Sequence, residues 1–375
     1  MADEFSKRLA GLTPEQRELL LRRLKKEGLA APGEKPSPAE PAVPPLFSLD
    51  PGPEPPPSDR PIEFSLFFFS DGGAKTPAES YELLLESARF ADRHGFAAIW
   101  TPERHFQDFG GLYPNPAVLG AALAAATERL GIRAGSVVLP LHEPQRIAEE
   151  WAVVDRLSNG RAGISFASGW HPTDFALRPE GYADRRELMF QGIETVRRLW
   201  RGELPVWVTC STNPSTWTRA GEIGAHVLTI VQPLPVLAEK IARYRAARAE
   251  RGFDPETGWV TVLVHAFVGD DEEAVRETVR APMTSYLRTY FDQYGFLAGG
   301  GSAQDVDSLM AIAFESYFSS LSLLGHPDKG ARLIDRLRAI GVDEAACLID
   351  FGVDAPSILE ALPALDRLRA RYAAP

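Results

Sequence analysis

The chain has 375 residues, 51 acidic against 40 basic side chains and a formal charge of −11. Its 45% hydrophobic and 24% charged content is that of a soluble globular protein, which excludes collagen-like, coiled-coil and wholly disordered descriptions. The acidic balance argues against nucleic acid as a partner, since phosphate neutralisation needs clustered Lys and Arg.

Taken in order, Thr13-Pro14-Glu15-Gln16 forms a capping box, and Leu19, Leu20, Leu21 and Leu24 make an apolar stripe stopped at Gly28. Residues 1–31 are therefore expected to be a short helical, docking-like segment, whose apolar stripe either folds back onto its own protein or docks on a partner. From Pro32 to Asp59 there are eleven prolines in twenty-eight residues, the composition of an extended linker. From Arg60 onward, strand-like runs alternate with amphipathic stretches: 62–69, 97–101, 132–139, 162–168, 205–210, 226–231, 259–267 and 345–350. A second capping box, Thr76-Pro77-Ala78-Glu79, opens a helix that Gly95 ends. Eight strand–helix units predict an α/β fold, a parallel (β/α)8 TIM barrel over 60–375. No Gly-x-Gly-x-x-Gly turn follows the first strand, which disfavours a doubly wound sheet. The stretch 281–326, rich in Tyr286, Tyr290, Phe291, Tyr294, Phe296, Phe314, Tyr317 and Phe318, reads as an inserted lid or wall before the last strand.

No apolar run approaches the ~20 residues of a membrane span, and the start lacks a signal-peptide core. Cys210 and Cys347 are too few for a disulfide framework. A reducing, cytoplasmic setting with no membrane partner is expected.

In such barrels the reacting groups sit where strands end. Those positions hold Ser70-Asp71-Gly72-Gly73, Thr101-Pro102-Glu103-Arg104-His105, Pro140-Leu141-His142, Ser168-Gly169-Trp170-His171 and Ser211-Thr212-Asn213-Pro214-Ser215-Thr216. The last of these suits either a phosphate at a helix start or a plain N-cap. No nucleophile elbow, P-loop, His-Glu-x-x-His or close Cys/His spacing appears, so no metal is expected and a cofactor must carry the hard chemistry.

The segments GFAAIWTPERHF at 95–106, YPNP at 113–116, 135–170 and 204–229 resemble the bacterial luciferase-like family of flavin-dependent monooxygenases. Within it the chain is similar to the subgroup found in natural-product assembly lines. The leading TPEQRELLLRRLKKEG resembles helical segments that precede condensation domains of non-ribosomal peptide synthetases. The resemblance implies reduced FMN and O2, reacting through a C4a-(hydro)peroxyflavin to oxygenate a natural-product intermediate, such as an amino-acyl or peptidyl group on a carrier protein. It also implies a separate flavin reductase and a homodimer. It places Gly135 and Ser136 at a cis, non-proline peptide under the flavin, and Ser168, Gly169, Trp170, Thr212, Asn213 and Thr216 around ring and phosphate. His105 then exchanges protons, Arg104 holds an anion and Glu103 orients them; His171, Asp174, Tyr286 and Tyr290 line the substrate pocket. Two positions depart from the family: Arg104 replaces a histidine, and Ser168 replaces a phosphate-binding arginine, which implies either weak flavin retention or another donor filling in. Two other readings keep the fold: a deazaflavin-dependent hydride-transfer enzyme, and a non-catalytic barrel tethered to a synthetase. His94, His226 and His265 are read as structural.

Overall fold

The computed structural model describes residues 55–69, 76–107, 109, 110, 112–200, 202–293 and 303–373. The 1–31 segment, most of the 32–59 linker, Ser70–Gly73, Tyr294 and Phe296 lie outside the described residues.

Strands β1 (Glu63–Phe67), β2 (Ala98–Thr101), β3 (Gly131–Val138), β4 (Ala162–Ala167), β5 (Val206–Thr209), β6 (His226–Ile230) and β7 (Val260–Val268) pair in parallel in chain order. After a short β8 (Leu323–Gly325), strand β9 (Glu344–Leu348) pairs with β7 on one side and β1 on the other. The ring closes as an eight-stranded parallel barrel, and these eight strands fall on the eight runs expected. Runs such as VTVLVHAFV are apolar on both faces because helices cover one and the barrel core the other.

The helices begin where prolines and short polar caps permit. They are α1 (Pro77–His94), α2 (Pro116–Ala126), α3 (Pro144–Ser158), α4 (Arg185–Leu199), α5 (Pro214–Glu222), α6 (Leu234–Glu250), α7 (Glu272–Gln293), α8 (Ala303–Ser320), α9 (Pro327–Ala339) and α10 (Ala355–Ala370). The capping box at Thr76 is formed on both sides, and Gly95 ends α1 at φ 76°, a conformation glycine adopts freely.

The 281–326 stretch is not one irregular lid. It comprises the end of α7, all of α8 and β8, which extends the far end of β7 through Ala266↔Leu323. Its Tyr286, Tyr290, Phe314, Tyr317 and Phe318 are buried, so it is a packed wall built against the barrel.

A polar plate fills the barrel below the site. Glu344, fully buried, accepts from Arg133 Nη1 at 2.6 Å, Trp100 Nε1, Trp259 Nε1 and Thr261 Oγ1, each of the last three at 3.0 Å. Trp207 Nε1 donates to Thr261 Oγ1 at 3.2 Å, and the Arg133 guanidinium packs against the rings of both Trp100 and Trp207. Burial alone would raise the Glu344 carboxyl, but Arg133 and the surrounding donors outweigh it and hold it below its usual range.

Candidate active site at the strand ends

Parallel pairing of β2 with β3 brings the Glu103 region beside the end of β3. The Glu103 side chain is buried, and one oxygen accepts from the Val138 backbone N–H at 2.7 Å. The other lies 2.8 Å from His105 Nε2 and 2.5 Å from His142 Nε2. Burial would push this carboxyl up, but the two imidazoles outweigh it and hold it below the usual range. Conversely, burial opposes protonation of His142, and the Glu103 carboxylate overrides it to raise the imidazole.

Arg104 points the other way and is buried at 2% exposure. Its guanidinium lies 4.8 Å from the Trp170 ring centre and 6.0 Å from that of Phe69, and Nη1 is 3.6 Å from Asp174 Oδ2. Asp174 Oδ1 accepts the His105 backbone N–H at 3.1 Å. Asp174, expected to line a substrate pocket, is buried in a 3-10 turn with one oxygen toward Arg104 and the other on the His105 N–H. The next residue, Phe106, is left-handed at φ 56° and 65% exposed at the rim. His171, also expected in the pocket, accepts from the Thr173 N–H and faces Gln107 Nε2 at 3.2 Å. Burial, then Arg104, lowers its imidazole.

At the end of β3 the Gly135–Ser136 peptide is cis. Ser136 Oγ meets Thr209 Oγ1, which lies 2.8 Å from Ser165 Oγ, giving a ladder of three hydroxyls across β3, β5 and β4. Gly169 is left-handed at φ 76°, and a Cβ there would strike Phe175 at 2.6 Å. Its carbonyl accepts from Arg185 Nε at 3.2 Å, which brings a cation to the end of β4, near Ser168. Asn213 is the N-cap of α5, its Oδ1 accepting Ser215 N–H at 2.9 Å and Ser215 Oγ–H at 2.7 Å. Thr212 and Thr216 flank that cap. Below it, Lys240 donates to the Ser211 carbonyl at 3.1 Å and to Gln232 Oε1, and burial lowers its ammonium to about 8. Tyr286 on α7 packs 4.9 Å from Phe109, while Tyr290 stacks edge-on with its neighbour Phe291.

Hydroxyls, helix-start amides and aromatic faces form a donor set that fits a flat heteroaromatic cofactor with a phosphate. The ligand atoms of Glu103, His105 and His142 lie within 4.8 Å of one another, a composition that could hold a divalent metal; here they are hydrogen-bonded to each other.

A family model for luciferase-like monooxygenases matches residues 62–344. The chain belongs to that family. As a luciferase-like monooxygenase it is similar to the oxygenase component of flavin-dependent trigonelline monooxygenase from Acinetobacter baylyi, 26% identical over 78% of this chain and 90% of the relative. Limonene 1,2-monooxygenase from Rhodococcus erythropolis is 28% identical over 68% of this chain and 71% of its own length. The fold is that of the FMN-complexed oxygenating constituent of 3,6-diketocamphane monooxygenase from Pseudomonas putida, with a TM-score of 0.68 at 17% identity, covering 84% of this chain and 99% of that one. A coenzyme F420-dependent secondary alcohol dehydrogenase shares it at a TM-score of 0.62 and 14% identity, covering 81% of this chain and 99% of that one.

Sequence reasoning about this luciferase-like monooxygenase brought Glu103, Arg104 and His105 to the site because they are contiguous. It gave no role to His142, Ser165 or Thr209, which reach the site only through strand pairing. The Leu-His motif after β3 was the one signal available for His142.

Proposed function

We propose that this chain is the oxygenase of a two-component flavin monooxygenase, using reduced FMN from a separate reductase together with O2. When bound, the reduced flavin supplies the electrons that activate O2 for transfer of one oxygen atom to substrate. The observation that carries the reading is the convergence, at the strand ends, of the Glu103–His105–His142 cluster and buried Arg104 beside the hydroxyl ladder. His105 moves a proton at the reacting centre, and Glu103 fixes its ring while linking it to the more exposed His142. Arg104, clamped against Trp170 and aligned by Asp174, holds a carbonyl, carboxylate or other electron-rich oxygen. Gly135 and Ser136 would support the flavin ring, with Ser165 and Thr209 holding the Ser136 hydroxyl in place. The α5 start at Thr212, Asn213 and Thr216 would hold the phosphate, and Arg185 would supply the cation that Ser168 does not. The aromatic wall of α7 and α8 keeps water from the reacting centre.

On this reading the substrate is an amino-acyl or peptidyl natural-product intermediate, delivered by a carrier protein that residues 1–31 would recognise. Homodimer formation is supported by Val153 and Leu157, one turn apart on α3, and Val118 on α2, all exposed. The second reading, deazaflavin-dependent hydride transfer, is supported by the F420-dependent likeness in fold. Anaerobic titration with reduced FMN and with reduced F420, followed by substrate turnover with and without O2, separates the two. Tight FMN binding and O2-dependent turnover are expected. Preferential F420 binding with O2-independent turnover would overturn the proposal.

A further inference from the structure

His265 differs from the other histidines read as structural. His94 Nδ1 pairs with Asp366, and His226 Nδ1 accepts the Trp259 N–H, so each has an evident partner. His265 lies on β7, on the same face as Thr261, whose hydroxyl reaches Trp207 and Glu344 inside the barrel. It therefore faces the barrel interior four residues nearer the reacting end. Its ring is 1% exposed, and Nδ1 is 2.7 Å from Tyr317 Oη on α8. Tyr286 and Phe351 stand edge-on to the ring at 4.6 and 5.5 Å. Nε2 is buried with no hydrogen-bond partner among the described residues.

Burial lowers the imidazole to about 3 and raises the Tyr317 hydroxyl, so both are neutral. If Nδ1–H donated to Tyr317, both the tyrosine proton and Nε2 would lack a partner. With Tyr317 O–H donating to Nδ1, only the Nε2–H is left over. A buried donor without an acceptor costs about 1–3 kcal/mol, and native proteins keep few of them. From His265 a continuous aromatic path runs through Tyr286 to Phe109 at 4.9 Å, on to Phe69 at 5.1 Å, and so to the Arg104 guanidinium. Three aromatic rings, of Tyr286, Tyr317 and Phe351, pack edge-on around His265, surroundings in which an ionised acceptor would be desolvated at a cost.

We infer that His265 is a substrate-recognition residue, its Nε2–H donating to a neutral acceptor, a carbonyl or ether oxygen or a ring nitrogen, on a flat unsaturated substrate lying along the aromatic wall. This rests on the monooxygenase reading above and narrows its substrate class: one end of the molecule meets Arg104, and a neutral acceptor meets His265. Tyr317 is a positioning residue that fixes the imidazole proton on the side facing the substrate.

The probes are acetophenone and α-methylstyrene, which differ by a carbonyl in place of a methylene group, bound to the FMN-loaded full chain by equilibrium dialysis. The ketone is expected to bind about fivefold or more tightly, the margin of one buried hydrogen bond. H265F is expected to abolish that preference and leave FMN affinity unchanged. Independently of that variant's folding, 15N NMR of the wild-type protein is expected to show His265 protonated on Nε2, and Y317F to loosen that tautomer. Equal binding of the two probes, no binding of either, an unchanged preference in H265F, or a proton on Nδ1 would each overturn the inference. A ketone preference in a protein that fails to bind FMN would instead count against the flavin reading alone.

Discussion

A single carboxylate, Glu103, joins two histidines that are 37 residues apart, and its effect differs for each. His105 is held at the centre of the site at 12% side-chain exposure, while His142 at 28% is the route outward. Replacing His105 or Glu103 with Gln is expected to lower kcat by roughly 10²–10⁴, the usual contribution of a positioned acid–base group; a loss under threefold in steady-state turnover would remove the proton role. The pH dependence of stability carries a second signature. His142 is raised above its ordinary 6.5, so its contribution is complete below that value and disappears as pH rises through the folded value. Glu103 is depressed below 4.5, so its contribution is present above that value and disappears as pH falls through the folded one. The stability difference between wild type and His142→Gln should thus be largest between those ordinary values and shrink toward pH 9. Urea unfolding at several pH values would show it, and a difference that grows with pH would contradict the pairing.

At the level of elements, the barrel separates a structural end from a reacting end. Glu344 and Arg133 with three tryptophans occupy the lower interior, and Glu344→Leu leaves the largely enclosed guanidinium without its carboxylate. A loss of about 3–5 kcal/mol is expected, measured by denaturant unfolding; under 1 kcal/mol would show that the plate is not what secures this end. The eight barrel strands and their helices were legible because apolar periodicity, prolines and caps repeat at each unit. Three-residue β8 was not, since LLG is too short to show any period and exists only by extending β7. The site was legible where chemistry is contiguous in sequence, at Glu103–His105, and hidden where topology assembles it. His142 needs β3 beside β2, Asp174 meets Arg104 and His105 only through the turn after β4, and the orphaned nitrogen of His265 shows only once the interior face of β7 is known.

For the whole molecule, the proposed functions divide between the barrel and the segment before it. Deletion of residues 1–59 should leave turnover of a free small-molecule substrate unchanged and lower it only when the same group is attached to a carrier protein. Equal loss with both substrates would remove docking from the account. Arg60, retained in that deletion, pairs with Asp343 at 2.6 Å and Glu256 at 2.6 Å, tying the start of the barrel to the turn before β9 and to the residues preceding β7.

On the proposed function, the barrel mouth holds a reduced flavin and controls its reaction with O2. The most direct test is rapid mixing of the anaerobic protein–FMNH2 complex with O2 while the flavin absorbance is followed. A slow phase of reoxidation, absent for free FMNH2 and faster in His105→Gln, is the predicted result. Reoxidation at the rate of the free flavin, in wild type and variant alike, would contradict the account.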